Sequence, residues 1–206
     1  MLRLNDLLHL PKPLVLASQS PRRQSLLRHI GFDFDVVVPN VDEDVVPTTI
    51  PPDAYVMELA LAKAMRGAEL VQRPSIVIGS DTTVVLDDAV LNKPADTADA
   101  VRMLHLLSGR THTVYTGLAL VDSDTHRSVS TFRRTQVSFR RLDDEEIKAY
   151  VDSGSPLDKA GAYGIQDDFG AVFVRHVDGC YYTIVGLPLE LLYTTLRDFA
   201  SGTTDA

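Results

Sequence analysis

The chain has 206 residues, with 20 Lys and Arg against 28 Asp and Glu, a net charge of −8, a pI near 5.1 and 45% hydrophobic residues. That size suits one domain or two small lobes sharing a core; the apolar fraction argues against disorder, and the acidic balance against nucleic acid as a partner. The single cysteine, Cys180, excludes an intrachain disulfide and a Cys-rich zinc site. No apolar run approaches the roughly 20 residues of a membrane helix. The opening MLRLNDLLHLPKP is too short and too interrupted for a signal peptide. The expectation is a soluble cytoplasmic protein with no membrane partner.

In chain order, residues 1–13 are expected to form a loose N-terminal tail. Leu14 to Ala17 is a short apolar run that predicts a buried strand. Ser20-Pro21 opens a helix, with Ser as N-cap and Pro in the first turn, and Gly31 ends it. Phe34 to Val38 predicts a second strand, followed by a Pro- and Asp-rich loop. Asp53 caps a long helix reaching about Val71. Ile76 to Ile78 and Thr83 to Leu86 are predicted as two strands, and Asp87-Asp88 turns the chain back through Val90 and Leu91. Thr97 caps a third helix that ends at Gly109. Residues 112–121 and 129–140 alternate as a hairpin. Asp143 and Glu146 have capping-box spacing for a fourth helix closed by Gly154. Asp178-Gly179 predicts a hairpin between Val172–Val177 and Tyr181–Val185. A last helix follows Pro188, and residues 200–206 form a C-terminal tail. Hairpins join most of the strands, so the fold class is α/β with a mixed sheet. Neither a G-x-G-x-x-G nor a Walker motif occurs.

Five segments carry candidate chemistry. In Leu16-Ala17-Ser18-Gln19-Ser20-Pro21-Arg22-Arg23 a strand passes through a Ser-rich turn into a helix N-terminus. Free N–H groups and the helix dipole favour an anion there, yet disfavour the cations Arg22 and Arg23. An anion bound there would reconcile the two; two solvated or salt-bridged arginines are the alternative. Lys63 falls centrally in an apolar stripe with Val56, Leu59, Ala60, Gly67 and Leu70. Snorkelling to water is the commoner fate of such a lysine, and projection into a polar cleft is the other. In Gly79-Ser80-Asp81-Thr82-Thr83, Asp81 stands at the predicted end of a strand. It is placed either to hold a divalent cation or activate water, or simply to make a turn. Val41-Asp42-Glu43-Asp44 offers oxygen ligands or a solvated acidic loop, and Lys93 offers one more phosphate contact. The six histidines have no metal-ligand spacing. No nucleophile elbow occurs, and Cys180 reads as a packed residue.

Eight stretches, in order, resemble the Maf family of nucleotide pyrophosphatases: LASQSPRRQSLL at 16–27, VDED at 41–44, LALAKA at 59–64, IGSDTTVVL at 78–86, LNKP at 91–94, LSGRTHTVYTG at 107–117, DKAGAYGIQ at 158–166 and VGLPL at 185–189. Each is weak alone, and together they cover nearly the whole chain. The resemblance implies one elongated mixed α/β domain over residues 14–199, of the inosine-triphosphate-pyrophosphatase-like type, with a central cleft. It implies hydrolysis of a nucleoside triphosphate to the monophosphate and pyrophosphate with a divalent metal, Mg²⁺ or Mn²⁺. AGAYGIQ looks like the branch acting on dTTP and UTP.

By the same resemblance Asp81 is the proton acceptor, and Arg22, Thr82 and Gln166 bear on substrate choice. Ser18, Arg23, Glu43, Lys63, Lys93 and Lys159 line the cleft, with Glu43 and Asp81 on the metal. A homodimer is implied, as is a link of some members to division arrest. The alternative function is therefore a nucleotide-binding regulator of septum formation with incidental hydrolysis. The chain departs from the family pattern at Asp167-Asp168 and Thr183.

Overall fold

The computed structural model describes residues 3–43, 46–166 and 168–202. Asp44 of the acidic run, Asp167 and the last four residues of the predicted C-terminal tail lie outside them. The strands are β1 (Leu14–Ala17), β2 (Phe34–Val37), β3 (Ile76–Leu86), β4 (Ala89–Leu91), β5 (Thr111–Asp122), β6 (Ser128–Phe139) and β7 (Val174–Asp178). The helices are α1 (Leu4–Leu7), α2 (Pro21–His29), α3 (Pro52–Leu70), α4 (Thr97–Leu107), α5 (Asp144–Asp152), α6 (Tyr181–Val185) and α7 (Leu189–Ser201). The sheet is mixed and ordered β2-β1-β3-β5-β6-β7, with β4 paired to β3. β1 runs parallel to both β2 and β3, pairing Leu14 with Phe34 and with Ile76, whereas β4 and β7 join antiparallel.

Contacts divide the chain into two compact units. The first holds Met1–Asp81, Thr116–Arg133 and Gly186–Ala206; the second holds Thr82–Tyr115 and Arg134–Val185.

In the first unit every residue of β1 is buried, as its apolar run demands. α2 starts where expected: the Ser20 side chain caps it by accepting from the Arg23 amide, Pro21 fills the first turn, and Gly31 leaves at φ 91°. α3 comes down unusually close to the strands. A Cβ placed on Gly79 of β3 would stand 2.1 Å from the Ala60 carbonyl oxygen. One placed on Gly117 of β5 would stand 2.1 Å from that of Val56. On the helix side, Gly67 lets Ala17 and Val77 approach. Glycines thus set the helix-to-sheet distance, and the face of α3 that meets the strands is the one that carries Lys63.

The second unit has its own core, in which Leu104, Leu107, Val114, Val137, Ile147 and Phe173 pack together. α5 has the capping box read from Asp143 and Glu146. Arg140 grips Glu146 with both terminal nitrogens, at 2.8 and 2.7 Å, and this pulls the Glu146 carboxyl down to about 2. His112, only 2% exposed, shares a 2.8 Å hydrogen bond through Nε2 with the Tyr163 hydroxyl. Its ring stands edge-on to Phe139 and Tyr163.

Burial lowers the His112 pKa from 6.5 to about 4. The unfolded chain therefore takes up this proton first as pH falls. The associated stability is whole above pH 6.5 and is lost between 6.5 and about 4, by roughly 3 kcal/mol in total. His112→Gln, neutral throughout, is expected to flatten that part of a urea-unfolding profile against pH. Parallel profiles for parent and variant would refute the assignment.

Several local expectations are corrected. Asp53 lies in the first turn of α3, which Pro51 precedes, and α4 is capped by Asp96 rather than Thr97, the Asp96 side chain accepting from the Asp99 amide. Residues 76–86 form one strand rather than two, so Asp81 lies inside β3 and not at a strand end. The polar residues stay extended because their side chains are satisfied there: Ser80 reaches two carbonyls and Thr83 reaches Asn92. Tyr181–Val185 is a helix, not a hairpin arm. Thr135 Oγ1 accepts from the Cys180 amide and lies 3.0 Å from the Cys180 carbonyl, Gly179 turns at φ 131°, and the Thr183 amide donates to the Cys180 carbonyl. Residues 3–12 are not loose. Leu8 is buried, the Leu4 amide donates to the Gly31 carbonyl, and Lys12 pairs with Asp122 at 2.6 Å.

Candidate active site

The first unit gathers most of the residues singled out from the sequence. α3 delivers Lys63, whose Nζ donates to Glu43 Oε1 and to Asp81 Oδ1, each at 2.6 Å. Lys63 is 9% exposed and Asp81 7%, while the Glu43 side chain is open on one side. The lysine therefore does not snorkel to bulk water; its head group joins two carboxylates.

Arg23, in the first turn of α2, donates from Nε to the Gly186 carbonyl at 2.7 Å and from Nη1 to Ser18 Oγ at 3.3 Å. Ser18 Oγ also accepts from the Ser20 amide, so one hydroxyl shapes the turn and holds the arginine. Burial pulls the Arg23 pKa down, Asp81 raises it, Arg22 lowers it further and Glu43 raises it. A guanidinium keeps its proton in proteins. Arg23 is thus a half-buried cation, beside a second arginine, at a helix N-terminus. Such a place favours an anion.

The sequence reading missed Ser80 and Gly186. Ser80 Oγ lies 2.9 Å from the Gly117 carbonyl and 3.0 Å from that of Gly186, and its one proton serves them in turn. Gly186 O is thus shared by Arg23 and Ser80, which ties the VGLPL stretch to α2 and β3. The available signal was a hydroxyl between Gly79 and Asp81 in an otherwise apolar strand.

The second unit holds Thr82, Lys93, Lys159 and Gln166. Thr82 follows Asp81 along β3 and is half-buried; Lys93 and Gln166 are exposed. Lys159 is buried, and Nζ bonds within its own turn to the Ser155 carbonyl, to Ser155 Oγ at 3.3 Å and to Asp158 Oδ1 at 2.8 Å. Asn92, also missed, links the segments that carry these residues. Its side chain accepts from Thr83 Oγ1 at 2.8 Å, and its carbonyl accepts from the Gly161 amide at 3.2 Å. Gly161 sits at φ 68° against Val84, where a side chain would collide.

Among the described residues no three His, Cys, Asp or Glu side chains gather into a metal cage. Glu43 and Asp81 do bring two hard oxygen donors to one point, the Lys63 ammonium. Two carboxylates suit an ion such as Mg²⁺, which commonly takes one or two protein carboxylates and completes its shell with phosphate and water. No helix among the described residues is long and apolar enough to cross a membrane.

A family model described as Maf-like protein matches residues 13–199. A protein of Bacillus cytotoxicus named dTTP/UTP pyrophosphatase is 48% identical over 195 residues, which is 95% of this chain and 100% of that protein. One of the same name from a Thermoanaerobacter species is 46% identical over 184 residues, 89% of this chain and 95% of its own. A crystal structure of a nucleoside-triphosphatase / dITP/XTP pyrophosphatase from Mycobacterium abscessus is similar at 16% identity and a TM-score of 0.43. It spans 94% of this chain and 100% of that one.

Proposed function

The chain belongs to the Maf family, and from that premise we propose that it is a nucleoside triphosphate pyrophosphatase acting on dTTP and UTP. The relatives named dTTP/UTP pyrophosphatase support the substrate class. The observation that carries the reading is one cluster in the first unit: Lys63 between Glu43 and Asp81, with the half-buried Arg23 next to Arg22 at the start of α2.

A triphosphate brings about four negative charges, and phosphoryl chemistry depends mainly on positioning and charge stabilisation. Arg22, Arg23 and Lys63 are proposed to hold phosphate oxygens, with Ser18 keeping Arg23 in place. Lys93, Lys159 and Thr82 are proposed as further substrate contacts. Asp81 takes the proton from a water whose oxygen attacks the α-phosphorus. The new bond joins water oxygen to that phosphorus, the bond to the α–β bridging oxygen breaks, and pyrophosphate leaves. Glu43 and Asp81 would hold the divalent cation, Mg²⁺ or Mn²⁺, whose chemistry when bound is to neutralise charge on the phosphates. Incubation with dTTP, UTP, CTP and GTP should yield monophosphate and pyrophosphate, with the first two preferred. Orthophosphate and a nucleoside diphosphate instead would refute attack at the α-phosphorus.

Base choice is assigned to Gln166. Its amide offers one acceptor and two donors, which matches the N3–H and a flanking carbonyl of uracil or thymine. Cytosine has an amino group and a bare N3 at that edge. Gln166 is exposed, so the penalty applies only once a base covers it; a polar group then left mispaired costs about 1–3 kcal/mol, roughly a 5- to 150-fold preference. Gln166→Ala should lower the ratio of kcat/KM for UTP over CTP by a factor in that range. An unchanged ratio would take base reading away from Gln166.

A further inference from the structure

We propose that Lys63 is a resident counter-ion that keeps a divalent cation from the Glu43–Asp81 pair until a triphosphate arrives, so that metal and nucleotide bind together. This rests on the pyrophosphatase reading above and adds an order of events to it.

The ammonium stands where a shared cation would be attracted, 2.6 Å from an oxygen of each carboxylate. It is no wandering surface charge. Its stem leaves the buried face of α3, and that helix is pressed onto β3 and β5 at Gly79 and Gly117. The two carboxylates, one of them nearly buried, have a permanent positive partner supplied by the fold. A free divalent ion must displace that partner, and among the described residues it finds no third carboxylate, histidine or cysteine beside them. Both factors weaken binding of the metal alone.

A triphosphate changes both. Its oxygens complete the cation's shell, as is usual for Mg²⁺. They also give the ammonium new acceptors, for which its three donors and flexible four-carbon stem are suited. The lysine can then turn from carboxylate to phosphate as the cation takes its place. Because coupling between two ligands is reciprocal, the nucleotide should raise metal affinity by the same factor as the metal raises nucleotide affinity.

The test measures Mn²⁺ binding to the full chain without nucleotide, from the electron paramagnetic resonance signal of free Mn²⁺. Lys63→Gln, which keeps polarity and loses charge, should bind Mn²⁺ at least ~10-fold more tightly than the parent, because a competing cation has gone. Lys63→Arg should resemble the parent. Equal or weaker binding by Lys63→Gln overturns the proposal, since the lysine would then only organise the carboxylates.

A second measurement needs no variant. In parent protein with ¹⁵N-labelled lysine, the Lys63 ammonium resonance should move when Mg²⁺ and α,β-imido-UTP are added together, and not with Mg²⁺ alone. Movement with Mg²⁺ alone overturns the proposal. Pyrophosphate release from UTP by the parent, assayed in parallel, separates the two readings. A parent that hydrolyses UTP while Mn²⁺ affinity ignores Lys63 refutes only the counter-ion role. A parent that releases no pyrophosphate refutes the enzymatic reading.

Discussion

Asp81→Asn is expected to lower kcat for UTP and dTTP by about 10²–10⁴-fold, the usual cost of removing a general base. The substitution changes charge and proton affinity but hardly changes shape. Asp81 lies inside β3, between Ser80 and Thr83, both of which are buried and have side-chain partners of their own. The strand therefore has no reason to rearrange. Lys63 keeps Glu43 as an ionic partner, so the ammonium is not left without one. The expected result is a folded protein, with circular dichroism and melting close to those of the parent, that releases almost no pyrophosphate at saturating metal. Near-normal turnover would remove Asp81 from the chemistry. A large loss in Tm alongside lost activity would mean that the carboxylate is chiefly a structural partner of Lys63.

Gly117→Ala should be strongly damaging to the first unit, as should Gly79→Ala, whose added Cβ would stand equally close to an α3 carbonyl. A Cβ on Gly117 would stand 2.1 Å from the Val56 carbonyl oxygen, 2.5 Å from its carbon and 3.0 Å from the Met57 nitrogen. All three are backbone atoms of α3, so no side chain can swing aside. The helix must lift or the strand must bend. Overpacked cores commonly lose 1–3 kcal/mol, and a backbone collision belongs at the upper end, about 3 kcal/mol. Gly154→Ala is the useful contrast. Its φ of 76° disfavours a side chain, but nothing lies within 4 Å, so the cost is roughly the 1–2 kcal/mol of a left-handed residue. Urea midpoints at constant slope would rank the two. If Gly117→Ala is as stable as Gly154→Ala, the close approach of α3 to β5 is wrong, and with it the placement of Lys63.

The sequence by itself determined those features whose causes lie within about four residues along the chain. The Ser20 cap with Pro21, the capping box of Asp143 and Glu146, the glycine at position 154 and the turn at Asp87-Asp88 were all readable, and the elements begin and end there. Their dihedral preferences and short hydrogen bonds do not wait for the rest of the chain. The eight motifs likewise led to the family and to the residues of the candidate site.

Only the tertiary structure decided what those residues touch. An apolar stripe with a lysine at its centre has the same local pattern whether the amine snorkels or is enclosed. Lys63 is enclosed because Gly79 and Gly117, from two strands, let α3 settle against them. Its carboxylates then come from 20 residues before it and 18 after.

The same holds for β3. A Gly-Ser-Asp-Thr-Thr run has turn composition, and it stays a strand only because Gly117, Gly186 and Asn92 meet its hydroxyls. Tyr181–Val185 follows the hairpin signal Asp178-Gly179, but the Cys180 backbone is engaged by Thr135, 45 residues earlier, and the chain coils into α6. Where burial supplies or withholds a polar partner, the outcome depends on groups distant in sequence. A buried group without a partner costs more than the small differences in local propensity that distinguish one conformation from another.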